Sequence, residues 1–152
     1  MSWWNKLFGT PRDASRVDYY EEGLELLTDG KFHEALTSFR LALKESPGDP
    51  VVLQQIAIAY TRIGMTEEAA KTYRHVLKVE PDTPGAHYGL AFLYLHGGEH
   101  EQAVRHLRAF LSNAPEDPEA QEHVGHARST LAELTGDAPP PPPQEGGDSL
   151  GL

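Results

Sequence analysis

The sequence predicts an all-α fold, an α-solenoid of three helical hairpins followed by one capping helix. Three observations carry this. Six of the seven prolines that precede residue 139 fall in pairs, Pro47/Pro50, Pro81/Pro84 and Pro115/Pro118, and successive pairs lie 34 residues apart. Other columns keep the same period: Gly23, Ala57 and Ala91 are small, Leu26, Tyr60 and Tyr94 follow three residues later, Ala35, Ala69 and Ala103 are identical, and Phe39, Tyr73 and Leu107 are large and apolar. Leu43, Leu77 and Leu111 are identical too, and no stretch reads as a strand. A period of this length marks one supersecondary unit whose apolar face only a stacked neighbour can cover.

The repeats run from 16 to 49, 50 to 83 and 84 to 117. Asp49-Pro50, Thr83-Pro84 and Asp117-Pro118 each place an N-capping residue before a proline at the first helical position. Asp29-Gly30, Gly64 and Gly97-Gly98 break each repeat in two. Apolar residues at helical spacing then give helices at about 17–29, 32–45, 50–63, 66–79, 84–96 and 100–113. A seventh helix, 118–135, begins like another repeat with Pro118, Ala120, Val124, Gly125 and Ala127. Its Glu119, Gln121, Glu122, His123, Arg128 and Glu133 suit a solubilising cap.

A small residue and an aromatic on a first helix, then Ala, an aromatic and a proline, make the sequence resemble the tetratricopeptide repeat family, particularly its small three-repeat bacterial members. Three departures stand out: His87 occupies a column that is usually apolar, and Val76 and Phe110 replace a small residue matched by Ala42. The resemblance implies a right-handed superhelix whose first helices line a concave face that binds extended or helical peptides. It assigns to that face Val17, Tyr20, Leu24 and Leu27, then Val51, Gln54, Ile58, Thr61 and Arg62, then Gly85, Tyr88, Phe92, Leu95 and His96. The family's clamp for a C-terminal carboxylate needs basic or amide residues where this chain has Tyr20, Leu24, Gln55, Gly85 and Gly89. Only Gln55 is similar, so the expected ligand is an apolar segment of a partner protein anchored by Tyr20, Tyr88 and Phe92. Packing between repeats is the competing use of these side chains.

Composition narrows the function classes. The chain has 152 residues, 13 Lys+Arg against 23 Asp+Glu and a net charge of −10, a field that repels a phosphate backbone. With no cysteines, thiol catalysis, iron–sulfur clusters and thiolate metal sites are excluded. No apolar run reaches the ~18 residues of a membrane span, and Met1–Gly9 lacks the ~7–15-residue apolar core of a signal peptide, so a cytoplasmic address is expected.

Residues 1–15 form a separate aromatic segment carrying Trp3, Trp4, Leu7 and Phe8. Three roles fit it: docking at a membrane surface, insertion into the groove of its own or a neighbouring copy, or covering the first hairpin. Residues 136–152 read as a disordered, proline-rich acidic tail in which Pro139–Pro143 favour a polyproline II spacer. No catalytic constellation, metal or cofactor is expected. His96-Gly-Gly-Glu99-His100 falls in a turn, and His123 with His126 reads as a solvated face of the cap. The expected function is a non-catalytic protein-interaction adaptor or scaffold. A secretion-type chaperone for a hydrophobic client and a self-assembling scaffold are the alternatives.

Overall fold

The computed structural model describes residues 17–137 and divides into two compact units, Met1–Pro81 and Asp82–Leu152. The first unit contains α1 (Tyr19–Thr28), α2 (Phe32–Glu45), α3 (Pro50–Ile63) and α4 (Thr66–Val79). The second contains α5 (Pro84–His96), α6 (His100–Ser112), a 3₁₀ turn (Pro118–Ala120) and α7 (Gln121–Thr135). The described residues contain no strand. Within each unit every helix packs on the next in sequence.

Helix ends follow local chemistry. The Asp18 carboxylate accepts a hydrogen bond from the Glu21 amide at 3.1 Å, so α1 starts at Tyr19, and Glu21 and Glu22 complement the positive end of the helix dipole. Asp49 accepts from the Val51 amide at 2.9 Å with Pro50 at the first helical position. Gly64 ends α3 at φ 94°, a left-handed conformation that costs a side-chain-bearing residue, and the Met65 amide then donates to Tyr60 O at 2.9 Å. The segment 118–135 is not one continuous helix. Asp117 makes no side-chain cap, Pro118–Ala120 form the 3₁₀ turn, and Gln121 Nε2 donates to the carbonyls of Pro115 and Asp117 at 3.2 Å. The side-chain amide of Gln121 thus ties the turn to the loop before it, and the capping bond expected from the Asp117 carboxylate is not formed.

The periodic columns form the cores. Ala35, Phe39, Ala57, Ala69 and Tyr73 are buried in the first unit, and Ala91, Ala103, Leu107 and Phe110 in the second. Burying each large side chain is worth ~1.5–3 kcal/mol. Gly23 is small for a reason: a Cβ there would lie 2.5 Å from a ring carbon of Phe39. In the second unit Val124 and Ala127 of α7 join Ala91, Leu107 and Phe110, so the cap contributes to that core. The expected departures are absorbed. Val76 and Phe110 are buried, and His87 meets His106 with the two Nδ1 atoms 3.1 Å apart. One imidazole donates and the other accepts. Tyr94 stacks on His106 at 5.6 Å.

Candidate functional site

The fourteen residues expected to line the binding face fall on or beside the first helices of the hairpins, and none of them is buried. In the first unit Val17 is 49% exposed, and Tyr20, Leu24, Leu27, Gln54 and Ile58 are half-buried. Tyr20 leans on the buried Phe39 ring at 6.0 Å, which fixes one edge and leaves the rest accessible. Val51 is 55% exposed. Thr61 turns its hydroxyl inward along the helix, donating to Ala57 O at 2.9 Å. Arg62 is exposed, but its guanidinium sits 4.6 Å from the Phe32 ring centroid, beside a cavity of about 360 Å³ at the Gly30–Glu34 turn. It therefore belongs to the hairpin turn as much as to the helix face.

In the second unit the side chains converge. Tyr88 and Phe92, one helical turn apart on α5, have ring centroids 4.8 Å apart. Tyr88 also rests on the buried Phe110 at 5.2 Å. Across from them α7 presents two imidazoles. His126 lies flat on Phe92 at 4.8 Å and 9°, and His123 meets Tyr88 edge-on at 5.1 Å. The Tyr88 hydroxyl lies 3.1 Å from His126 Nδ1 and 3.4 Å from His123 Nδ1. Burial raises the Tyr88 pKa above its ordinary value, and the Glu122 charge adds to the rise. The hydroxyl is accordingly a neutral hydrogen-bonding group at physiological pH.

His123 and His126 are exposed, as the sequence reading had them, and their rings also extend the aromatic surface of α5. For His126 the 34-residue period held the signal, because Leu24, Ile58, Phe92 and His126 form one column. Leu95 is half-buried and His96 is exposed at the end of α5. His96 and His100 flank the turn between α5 and α6, and among the described residues no group of three or more His, Asp or Glu side chains is placed to hold a metal ion. Trp3, Trp4, Leu7 and Phe8 lie outside the described residues. No described helix is long and apolar enough to cross a membrane.

Helical hairpins repeating every 34 residues, with small residues buried at their crossings and aromatics at the surface of their first helices, define a helical-repeat protein. The tetratricopeptide repeat profile matches residues 26–84 and 64–126, about two thirds of the chain, and the chain belongs to that family. No curated protein sequence matches it. Among solved structures, PcrH in complex with the chaperone binding region of PopD is similar at a TM-score of 0.70 and 18% identity, covering 78% of this chain and 89% of that one. PcrH is from Pseudomonas aeruginosa. The Yersinia enterocolitica type III secretion chaperone SycD, in complex with a peptide of the translocator YopD, is similar at 0.72 and 18% identity over 77% of this chain and 89% of that one. The first repeat domain of RPAP3, bound to an HSP90 peptide, is similar at 0.64 and 20% identity over 75% of this chain and 93% of that one. These likenesses establish the all-α tetratricopeptide fold.

Proposed function

We propose that the chain is a non-catalytic adaptor that binds an apolar segment of a partner protein on the first-helix faces of its hairpins, organised as repeats 16–49, 50–83 and 84–117 with 118–135 as cap. The observation that carries this reading is the half-exposed ladder Tyr88–Phe92–His126, an aromatic surface held rigid by Phe110 beneath it. Rigid aromatic area gives binding energy at little entropic cost. The likeness to folds solved with PopD, YopD and HSP90 segments supports the same use. The positions of a carboxylate clamp hold Tyr20, Leu24, Gln55, Gly85 and Gly89, so the favoured ligand is an internal apolar segment rather than a free C-terminus.

The second reading, a secretion-type chaperone for a hydrophobic client, is favoured by the PcrH and SycD likeness over most of both chains. The proposed address is the cytoplasm, with Trp3, Trp4, Leu7 and Phe8 as a peripheral docking segment for a membrane-associated assembly or for a second copy. Because Tyr88 also supports the core, the cleaner test is Phe92→Gln with His126→Ala, folding being checked by circular dichroism. Loss of partner capture by this variant is the expected result. Capture at the wild-type level by a folded variant refutes the site. A co-purified client that precipitates without the chain selects the chaperone reading.

A further inference from the structure

A second surface, separate from the aromatic one, lies on the second unit. A cavity of about 490 Å³ is lined by His100, Glu101, Val104, Arg105 and Arg108 of α6 and by Leu134 of α7. Arg105, Arg108 and Arg128 are the only lysine or arginine residues after Lys78, so this otherwise acidic part of the chain gathers two of its three fixed cations on one face of one helix. Neither Arg105 nor Arg108 is paired with a carboxylate among the described residues, although Glu101 lines the same cavity.

The repeat explains why Arg108 is left over. Arginine also stands at the equivalent positions one period earlier, Arg74, and two periods earlier, Arg40. Arg40 has a partner in the following first helix: its Nη2 donates to the Tyr60 hydroxyl, and its guanidinium carbon lies 5.6 Å from the centre of that ring. The residue that stands to Arg108 as Tyr60 stands to Arg40 is Arg128. An aromatic acceptor is replaced there by a second cation, and the local charge calls for an anion instead.

We propose that this face docks the chain's own C-terminal acidic segment, with Glu145 and Asp148 at Arg105 and Arg108 and the proline run laid over Val104 and Leu134. Tether and charge both favour that occupant. The chain leaves α7 at Thr135 and turns at Gly136 (φ 81°), immediately after the cavity residue Leu134, so the tail is held at an effective concentration in the millimolar range for a short linker. Pro139–Pro143 in polyproline II span ~15 Å at ~3.1 Å per residue. The eight-residue step along α6 from His100 to Arg108 is ~12 Å at ~1.5 Å per residue. The rod thus matches the length of α6 that lines the cavity and delivers Glu145, two residues further on, to the arginines. Glu145 and Asp148 are the only charged side chains after Asp137.

The absence of cysteine allows a unique nitroxide label at Ser149→Cys in the full chain. The expected result is selective loss of the amide signals of Val104–Arg108. That loss is reversed in Arg105→Gln/Arg108→Gln, reversed in Glu145→Gln/Asp148→Asn, and weakened by raised salt. No selective loss, or a loss that both variants retain, overturns the proposal. In a mixture of labelled and isotope-enriched copies the signals are expected to stay intact. Their loss there overturns docking within one chain in favour of docking between two.

Discussion

Replacing Gly23 by alanine tests whether the first hairpin is closed as tightly as its geometry requires. A Cβ at Gly23 falls 2.5, 2.6 and 2.9 Å from three carbons of the Phe39 ring, where ordinary carbon contacts sit at ~3.5–4.0 Å. The ring must therefore retreat by ~1 Å, and it has no free side: Phe39 is 0% exposed and Tyr20 packs on it. Overpacking of this kind costs ~1–3 kcal/mol. Alanine also gains ~1 kcal/mol over glycine in a helix interior, which blurs the single measurement. Gly125 removes the ambiguity. It is helical and exposed, with nothing within 4 Å of a built Cβ, so Gly125→Ala reports the helix gain alone. The difference between the two substitutions is then the overpacking cost itself, ~1–3 kcal/mol. Urea unfolding followed by circular dichroism gives both values, and on melting each kcal/mol appears as ~2–4 °C. Equal stabilisation by the two alanines refutes the tight contact. Phe39→Leu supplies the internal check, because Gly23→Ala in that background is expected to lose most of its penalty.

Other expectations follow from the caps and the tyrosines. Asp49→Ala removes the bond to the Val51 amide and is expected to cost ~0.5–2 kcal/mol in the same unfolding assay, whereas Asp117→Ala, at a residue that caps nothing, is expected to be near neutral. Tyr73 and Tyr88 both titrate above the ordinary value of 10.0 in the folded chain, chiefly through burial, and for Tyr73 a hydrogen bond with Thr61 acts against the rise. The folded state then holds phenol protons that the unfolded state releases. Their contribution to stability is complete below pH 10 and is lost as pH rises through the folded values, and Tyr73→Phe should flatten that decline. Glu122→Gln is expected to lower the Tyr88 value part of the way, measured by NMR titration of its ring carbon; an unchanged value shows that the carboxylate does not reach the hydroxyl.

The sequence carried the helices well because their ends are written in residues with single conformational uses. Pro50 and Pro84 open helices at the positions expected of them, and Gly64 and Gly98 close hairpins with φ of 94° and 77°. The buried columns were equally legible, since Ala35, Ala69 and Ala103 recur at the period and are all fully buried. Orientation on the cap was not. His123 and His126 are polar residues on a polar helix, and residue type argued for solvent; the register of His126 with Phe92 marked the aromatic contact, whereas His123, in register with Gly89, carried no such mark. Arg62 was misleading in the other direction, because its column says binding face while its long side chain reaches back to Phe32. The two-unit division has no mark in the period, which runs unbroken through Pro81.

The imidazole pair bears on how such a chain can be rebuilt. His87 stands where the earlier repeats have Tyr19 and Leu53, and His106 where they have Ser38 and Thr72, so the third hairpin departs from the others at two positions that answer each other. Repeat proteins invite engineering by duplication and exchange of modules, on the premise that equivalent units are interchangeable. Here a graft that carries one helix of the third hairpin without the other separates an imidazole from the ring nitrogen it hydrogen-bonds. The unit of exchange in this chain is therefore the whole hairpin, and a recombination point between residues 97 and 99 is the one to avoid.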